Sequence, residues 1–217
     1  MNMLFHPDDA TLASYAACGV ERNYSIVLDL HIRECRHCQQ RISDADHIGG
    51  ALLQALPAAP LGQEQKAAVM ALLDGIAPAP GVKAPAPAPE EMPKILEVLR
   101  NWRQADLDAL PWKPMAPGIR RIPIEVPQGR LNLLRIAPGT CLPVHSHQGN
   151  ELTMVLRGSF SDEIGRFTPG NVADLDDDVE HQPIADRDED CICLVATDAP
   201  LRFRDWLPQL LQPLFRL

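Results

Sequence analysis

The chain has few basic side chains and no long uninterrupted apolar segment. Its 217 residues contain 20 Lys and Arg against 29 Asp and Glu, which gives a formal net charge of −9 and a pI near 5.2. A protein that binds nucleic acid directly needs a basic face to neutralise phosphates, so the composition argues against that class. No apolar run approaches the length of a membrane-spanning helix. The N-terminus also lacks a basic region followed by an apolar stretch, so we expect no signal peptide and a cytoplasmic location.

Apolar residues make up 46% of the chain, enough for two compact domains or for one domain with an appendage. The six cysteines are Cys18, Cys35, Cys38, Cys141, Cys191 and Cys193. In a cytosolic protein a closely spaced pair such as Cys35 and Cys38 favours metal ligation over a disulfide.

A metal-ligand pattern, H-x3-C-x2-C, is formed by His31, Cys35 and Cys38. On one continuous helix these positions fall at about 0°, 40° and −20°, so their side chains share a stripe. A helix that breaks at the Cys pair would serve equally well. Imidazole and thiolate are the ligands of closed tetrahedral zinc sites, and one ligand is missing here. His6 and His37 are both available, although on a helix His37 points about 100° away from Cys38.

Residues 8–75 have the periodicity of short helices. We predict a helix from Asp9 to Cys18, a second from Glu21, a third whose apolar face runs from Ile42 to Leu56, and a fourth from Gln63 to Leu73. A helical unit of this size has a small core and often needs a metal or a partner to hold it. We therefore assign residues 1–76 to a small all-α zinc-binding bundle.

An Ala/Pro-rich segment separates this bundle from the rest of the chain. Alternating Ala and Pro favour extended polyproline II structure, so residues 77–93 are predicted to be a linker. A helix is expected over 94–110, and from Trp112 onward short strand-like runs alternate with Gly and Pro turns. The predicted fold is thus α + β with two domains, the second of which is all-β and covers residues 94–217.

The β half carries a second group of metal-type ligands, in the pattern G-x5-H-x-H-x3-E-x6-G between Gly139 and Gly158. Strand alternation places His145 and His147 on one face, and Glu151 returns to that face after a turn. Two imidazoles and a carboxylate suit zinc, iron or manganese.

This pattern resembles the first motif of the cupin family at every fixed position. The second cupin motif is matched only in part: Gly170 and His181 stand at the required separation, but Asp176, Asp178 and Ala185 replace the Pro, Gly and Asn. The resemblance implies a jelly-roll barrel with a metal inside and His181 as fourth ligand. The alternative for the second motif is a solvated acidic loop beside a structural histidine.

The helical H-x3-C-x2-C domain resembles the zinc-binding anti-sigma domains of bacteria. Fused to a cupin, the whole chain resembles the ChrR type of anti-sigma factor. That resemblance implies that His6 completes the first site and that the chain is a transcription regulator, not an enzyme, holding two zinc ions. Its first domain would sequester an extracytoplasmic-function sigma factor, and its cupin would release that factor on an oxidative signal such as singlet oxygen.

Two other functions remain open from the sequence. One is a metal-dependent cupin enzyme, such as a dioxygenase or an isomerase, with iron or manganese as the barrel metal. The other is a sensor whose cupin binds a small molecule.

The four cysteines outside the H-x3-C-x2-C pattern are interpreted separately. Cys191 and Cys193 alternate on a strand, so they are either a redox-responsive pair or two small buried side chains. Cys141 is an even number of residues from His145 and His147, so on a continuous strand it is expected to face the barrel interior with them. Cys18 is expected in the core of the first helix pair.

Overall fold

The computed structural model describes residues 3–60, 62–75, 94–199 and 201–203, and in this part of the chain five helices precede twelve strands. The helices are α1 (Asp9–Ala16), α2 (Arg22–Glu34), α3 (Arg36–Ala55), α4 (Gln63–Gly75) and α5 (Lys94–Leu99). The strands are β1 (Lys113–Ala116), β2 (Ile119–Ile124), β3 (Arg130–Ile136), β4 (His145–His147), β5 (Glu151–Arg157), β6 (Phe160–Ser161), β7 (Arg166–Phe167), β8 (Val172–Leu175), β9 (Glu180–His181), β10 (Ile184–Ala185), β11 (Cys191–Thr197) and β12 (Leu201–Phe203). The predicted linker, 77–93, lies outside the described residues.

The strands form three antiparallel sheets. The largest has the order β1-β2-β3-β11-β5-β8, and the two smaller ones have the orders β10-β6-β7 and β12-β4-β9. Side chains of β11 alternate between two environments, as expected for a strand with both faces covered. Cys191, Cys193 and Val195 point toward the smaller β10-β6-β7 sheet and pack with Phe160 and Phe167.

The opposite face of the large sheet is covered by α2. Val27 and Leu28 are fully buried there, in one core with Ile192 and Leu194 of β11 and with Leu133 of β3. Burying a side chain of this size contributes about 1.5–3 kcal/mol. The helical part therefore packs directly on the β part and shares its main core.

Hydrogen bonds fix the N-terminal end of α2 on the sheet. Asn23 Nδ2 donates to the carbonyl of Thr197 at 2.9 Å, and the Tyr24 hydroxyl donates to the carbonyl of Asn150 at 2.8 Å. Both acceptors lie at the ends of strands that line the barrel interior, so α2 is anchored beside the residues of the second metal motif.

Some expectations from the sequence were wrong in detail. The helix predicted over 94–110 ends at Leu99, after which Trp102 and Leu107 turn into the core. The Asp106 carboxylate accepts hydrogen bonds from the amides of Asp108 and Ala109, which stabilises a turn in place of a helix.

Two cysteines also lie elsewhere than expected. The first helix ends at Ala16, and Cys18 lies two residues beyond it with a positive φ of 55°. Cys18 is exposed, because the chain turns at this point before α2. Cys141 is exposed as well. It lies outside the regular strands, in an isolated bridge to Ile184, so parity along a strand does not decide where it points.

The second half of α3 and helix α4 present apolar side chains to solvent. These residues, called here the exposed apolar face, are Ile48, Leu52, Leu53, Leu56, Val69, Met70, Leu72 and Leu73. Ile48 and Leu52 are four residues apart and lie on one stripe of α3, and Leu56 follows directly after its last residue. In the described parts of the chain, no helix combines the length and apolar character needed to cross a membrane.

Candidate metal centres

Four donor side chains from three segments meet in the helical part. His31 lies in the last turn of α2, Cys35 at the junction between α2 and α3, and Cys38 in the first turn of α3. The junction is a true break, because Cys35 has extended dihedrals (φ −108°, ψ 104°) that end one helix and begin the next. His6 lies in the segment that precedes α1. The four ligand atoms all lie within 4.8 Å of one another, so this cluster could hold a metal ion.

The spacing of the donor atoms suits a tetrahedral ion. His31 Nε2 lies 3.2 Å from Cys38 Sγ, and His6 Nδ1 lies 3.3 Å from Cys35 Sγ and 3.5 Å from Cys38 Sγ. A tetrahedral zinc with ordinary Zn–N and Zn–S bond lengths places its nitrogen and sulfur ligands about 3.5 Å apart. The residues present therefore fit the ion that their chemistry predicts.

The protonation of the cluster is set mainly by burial. Burial lowers the pKa of His31 to about 4, which keeps its imidazole neutral, as a metal ligand must be. Burial, followed by the neighbouring His37, also lowers the pKa of His6. Burial and the adjacent Cys35 raise the pKa of the Cys38 thiol to about 12, so an ion entering the cluster would displace a proton from it.

His37, the competing donor from the sequence, lies outside the four-donor cluster. Its side chain is exposed and its ring lies beside that of His6, with centroids 4.6 Å apart. The helical position predicted this outcome, since α3 turns His37 away from Cys38.

The barrel contains the second group. His145, Glu151 and His181 are all buried and line one cavity of about 80 Å³. His145 Nε2 and His181 Nε2 approach to 3.1 Å, because β4 and β9 pair these two residues directly. His147 lies two residues after His145 on β4, but its side chain is outside the described part of the structure.

The two described barrel histidines both have their Nδ1 atom in a hydrogen bond. His145 Nδ1 lies 2.9 Å from the carbonyl of Pro143, and His181 Nδ1 lies 3.0 Å from Asp162 Oδ2. Burial opposes a charge on Asp162, but hydrogen bonds from His181 and from two backbone amides hold the pKa of its carboxyl below the usual value. Such partners fix the tautomer that turns Nε2 toward a metal.

Glu151 also has an identified partner, the hydroxyl of Thr153, which donates to Oε1 at 2.8 Å. The acceptors Pro143 and Asp162 were missed by the sequence analysis. Asp162 lies 19 residues before His181 in a separate turn, and no local spacing relates the two.

Cys191 and Cys193 are both buried on the interior face of β11, with Sγ atoms 3.5 Å apart. Cys193 also lines the cavity that holds the barrel histidines. The hydrogen bond with Cys191, together with burial, raises the pKa of Cys193 well above its usual value. Protonated buried thiols are weak nucleophiles.

Comparison with known proteins places this two-part arrangement in a family. Residues 103–200 match the model of the ChrR cupin-like domain. Over its full length the chain is 37% identical to the anti-sigma-E factor ChrR of Cereibacter sphaeroides, and the match covers 100% of both proteins. The chain belongs to the ChrR family of anti-sigma factors.

A solved structure agrees with this assignment. The crystal structure of Rhodobacter sphaeroides SigE in complex with the anti-sigma ChrR matches with 33% identity and a TM-score of 0.68, covering 91% of this chain and 100% of that one. The predicted fold class, a small helical part followed by a cupin, is thereby confirmed. Membership of the ChrR family assigns the chain a regulatory role rather than a catalytic one.

Proposed function

We propose that this chain sequesters an extracytoplasmic-function sigma factor in the cytoplasm through its N-terminal helices. Its cupin is the input domain that releases the sigma factor on an oxidative signal such as singlet oxygen. The observation that carries the proposal is the exposed apolar face, on the helices that follow the His/Cys cluster, in a chain similar to ChrR over its whole length.

The exposed apolar face leaves large aliphatic side chains in contact with water. Leu52, Leu53 and Leu72 each leave about two thirds of their surface in water (66%, 70% and 69%). A series of large apolar side chains left in water along a helix indicates a protein-binding site. The formal charge of −9 adds an electrostatic attraction toward the basic, DNA-binding surfaces of a sigma factor.

The proposed ligands of the first zinc ion are His6, His31, Cys35 and Cys38. This ion would hold the break between α2 and α3 and so fix the direction in which α3 carries its apolar stripe. A small helical unit gains its stability from such an ion.

For the barrel we propose a second zinc ion, or another divalent transition metal, bound by His145, His147, Glu151 and His181. Two described histidines with engaged Nδ1 atoms and a buried carboxylate suit this assignment. An ion there would join β4, β5 and β9, so a signal that alters a ligand would change how these strands are held.

The Cys191–Cys193 pair is a weaker candidate for the sensing group. Its two sulfurs are close, which a redox role requires, but both are buried and the Cys193 thiol is held protonated. These features favour the alternative, two small side chains that fill the interior of the barrel.

The decisive experiment is co-expression of the full chain with the sigma factor encoded beside it. We expect a stable complex on gel filtration and loss of transcription from a sigma-dependent promoter in vitro. An oxidant that generates singlet oxygen should restore transcription. Absence of both binding and inhibition would contradict the proposal.

A further inference from the structure

The segment that carries His6 is bound to the cupin, not to the helices alone. Residues 3–8 lie along β8, which forms one edge of the large sheet. The amide of Val172 donates to the carbonyl of Phe5 at 3.2 Å, and Asp174 Oδ2 accepts the amide of Asp8 at 2.9 Å. His6 lies between these two contacts, with its side chain in the metal cluster.

Asn171 is the centre of this attachment. Its side chain is only 2% exposed, and its Oδ1 accepts the amides of Leu4 at 3.3 Å and of Phe5 at 3.0 Å. Its Nδ2 donates to the Thr168 hydroxyl at 3.0 Å, which fixes the carboxamide in that orientation. One buried side chain thus satisfies the two backbone donors that immediately precede His6.

Packing around the segment shows a surface shaped to receive it. The Phe5 ring lies on that of Phe167, with centroids 4.4 Å apart. A Cβ atom at Gly165 would come within 2.5 Å of the Phe5 ring, and one at Gly170 would come within 2.7 Å of the Met3 side chain. Glycine at these two positions permits the close approach.

The cupin also contacts a second donor of the cluster. His31 is fully buried, and its Nδ1 donates to the carbonyl of Gly170 at 2.8 Å. This bond fixes the ring tautomer and leaves Nε2 to face Cys38 and His6. Two adjacent cupin residues, Gly170 and Asn171, therefore orient both histidines of a cluster whose cysteines belong to the helices.

We propose that Gly170 and Asn171 are positioning residues of the N-terminal metal site, and that the bound ion in turn fastens residues 3–8 to the edge of β8. The inference rests on metal binding at this cluster, but it does not require any particular sigma factor. Linkage makes the effect reciprocal: if docking of the segment strengthens metal binding, metal binding strengthens docking by the same factor. Metal binding at the cluster would then stabilise the contact between the helical part and the cupin.

Cobalt binding to the full chain tests the inference. Co²⁺ bound by cysteine has a thiolate-to-metal charge-transfer absorption, which separates this site from the histidine and carboxylate site in the barrel. Asn171→Ala should weaken Co²⁺ binding at the cysteine site by about 10- to 100-fold in a chelator competition. Asn171→Asp, which keeps an acceptor oxygen, should recover most of that loss.

Two matched variants in residues 3–8 keep the test valid if Asn171→Ala fails to fold. Phe5→Ala removes the docked ring and should weaken Co²⁺ binding although Phe5 is no ligand. Leu4→Ala changes a neighbour that is 74% exposed and should leave binding unchanged. Wild-type affinity in both Asn171→Ala and Phe5→Ala would overturn the inference.

Hydrogen exchange supplies a second readout. In the metal-loaded chain the hydrogen-bonded amides of Leu4, Phe5, Asp8 and Val172 should be protected from exchange. Removal of the N-terminal ion should release them while the amides of β11 stay protected. Equal exchange with and without the ion would overturn the reciprocal coupling. A wild-type chain with no thiolate absorption would refute metal binding here, and with it the inference, whether or not a sigma factor still binds.

Discussion

Replacing two leucines of the exposed apolar face should strongly weaken binding to a sigma factor without unfolding the chain. Burying a whole leucine contributes about 1.5–3 kcal/mol, and Leu52 and Leu53 leave 66% and 70% of their surface to be covered. Each therefore contributes about 1–2 kcal/mol if the partner covers it. Glutamine is a good helix former, so Leu52→Gln and Leu53→Gln remove apolar surface and leave α3 intact.

At about 1.4 kcal/mol per tenfold, we expect each substitution to raise the dissociation constant by about 5- to 30-fold. Isothermal titration calorimetry with the purified sigma factor measures the dissociation constant directly. The free energy of unfolding from urea titrations should change by no more than about 0.5 kcal/mol. Ile164→Gln is the matched control, because Ile164 is 47% exposed on a cupin turn. If the double variant bound as tightly as the wild type, or Ile164→Gln weakened binding equally, the assignment of this face would be refuted.

Three further predictions concern the cupin and its contact with α2. Asp162→Asn should lower the affinity of the barrel for its metal by about 10- to 100-fold in a chelator competition, because His181 loses a charged acceptor; unchanged affinity would contradict it. Replacing Cys191 and Cys193 singly by Ser should leave release by oxidant unchanged in the transcription assay, and a lost response in either would restore the redox interpretation. Leu28→Ala should lower the free energy of unfolding by about 2–5 kcal/mol in denaturant titrations, since Leu28 is fully buried between α2 and the sheet.

Local spacing predicted the parts of the metal centres that lie close in sequence. The pattern of His31, Cys35 and Cys38 determined which side chains meet at the α2–α3 junction, because a helix and its break both bring them together. His6 has no such periodic relation to the pattern. Only the resemblance to zinc-binding anti-sigma domains identified it, and the structure now places it in the cluster.

Contacts between distant segments could not be predicted in this way. The bond from His31 to Gly170 spans 139 residues, and it depends on a backbone carbonyl that any residue would supply. The docking of α2 on the sheet was also missed, because an amphipathic helix shows which face is apolar but not what covers it. The predicted interior position of Cys141 was wrong, because side chains alternate between two faces only within a regular strand.

The division into units at 1–76, 77–93 and 94–217 stays a prediction, but the packing of α2 bears on how the protein is handled. A fragment that started after the Ala/Pro-rich segment would leave Leu133, Ile192 and Leu194 without the helix that shields them from water. Such a truncated cupin should self-associate or precipitate. Deletion experiments that compare the two halves separately therefore need the helix supplied in trans.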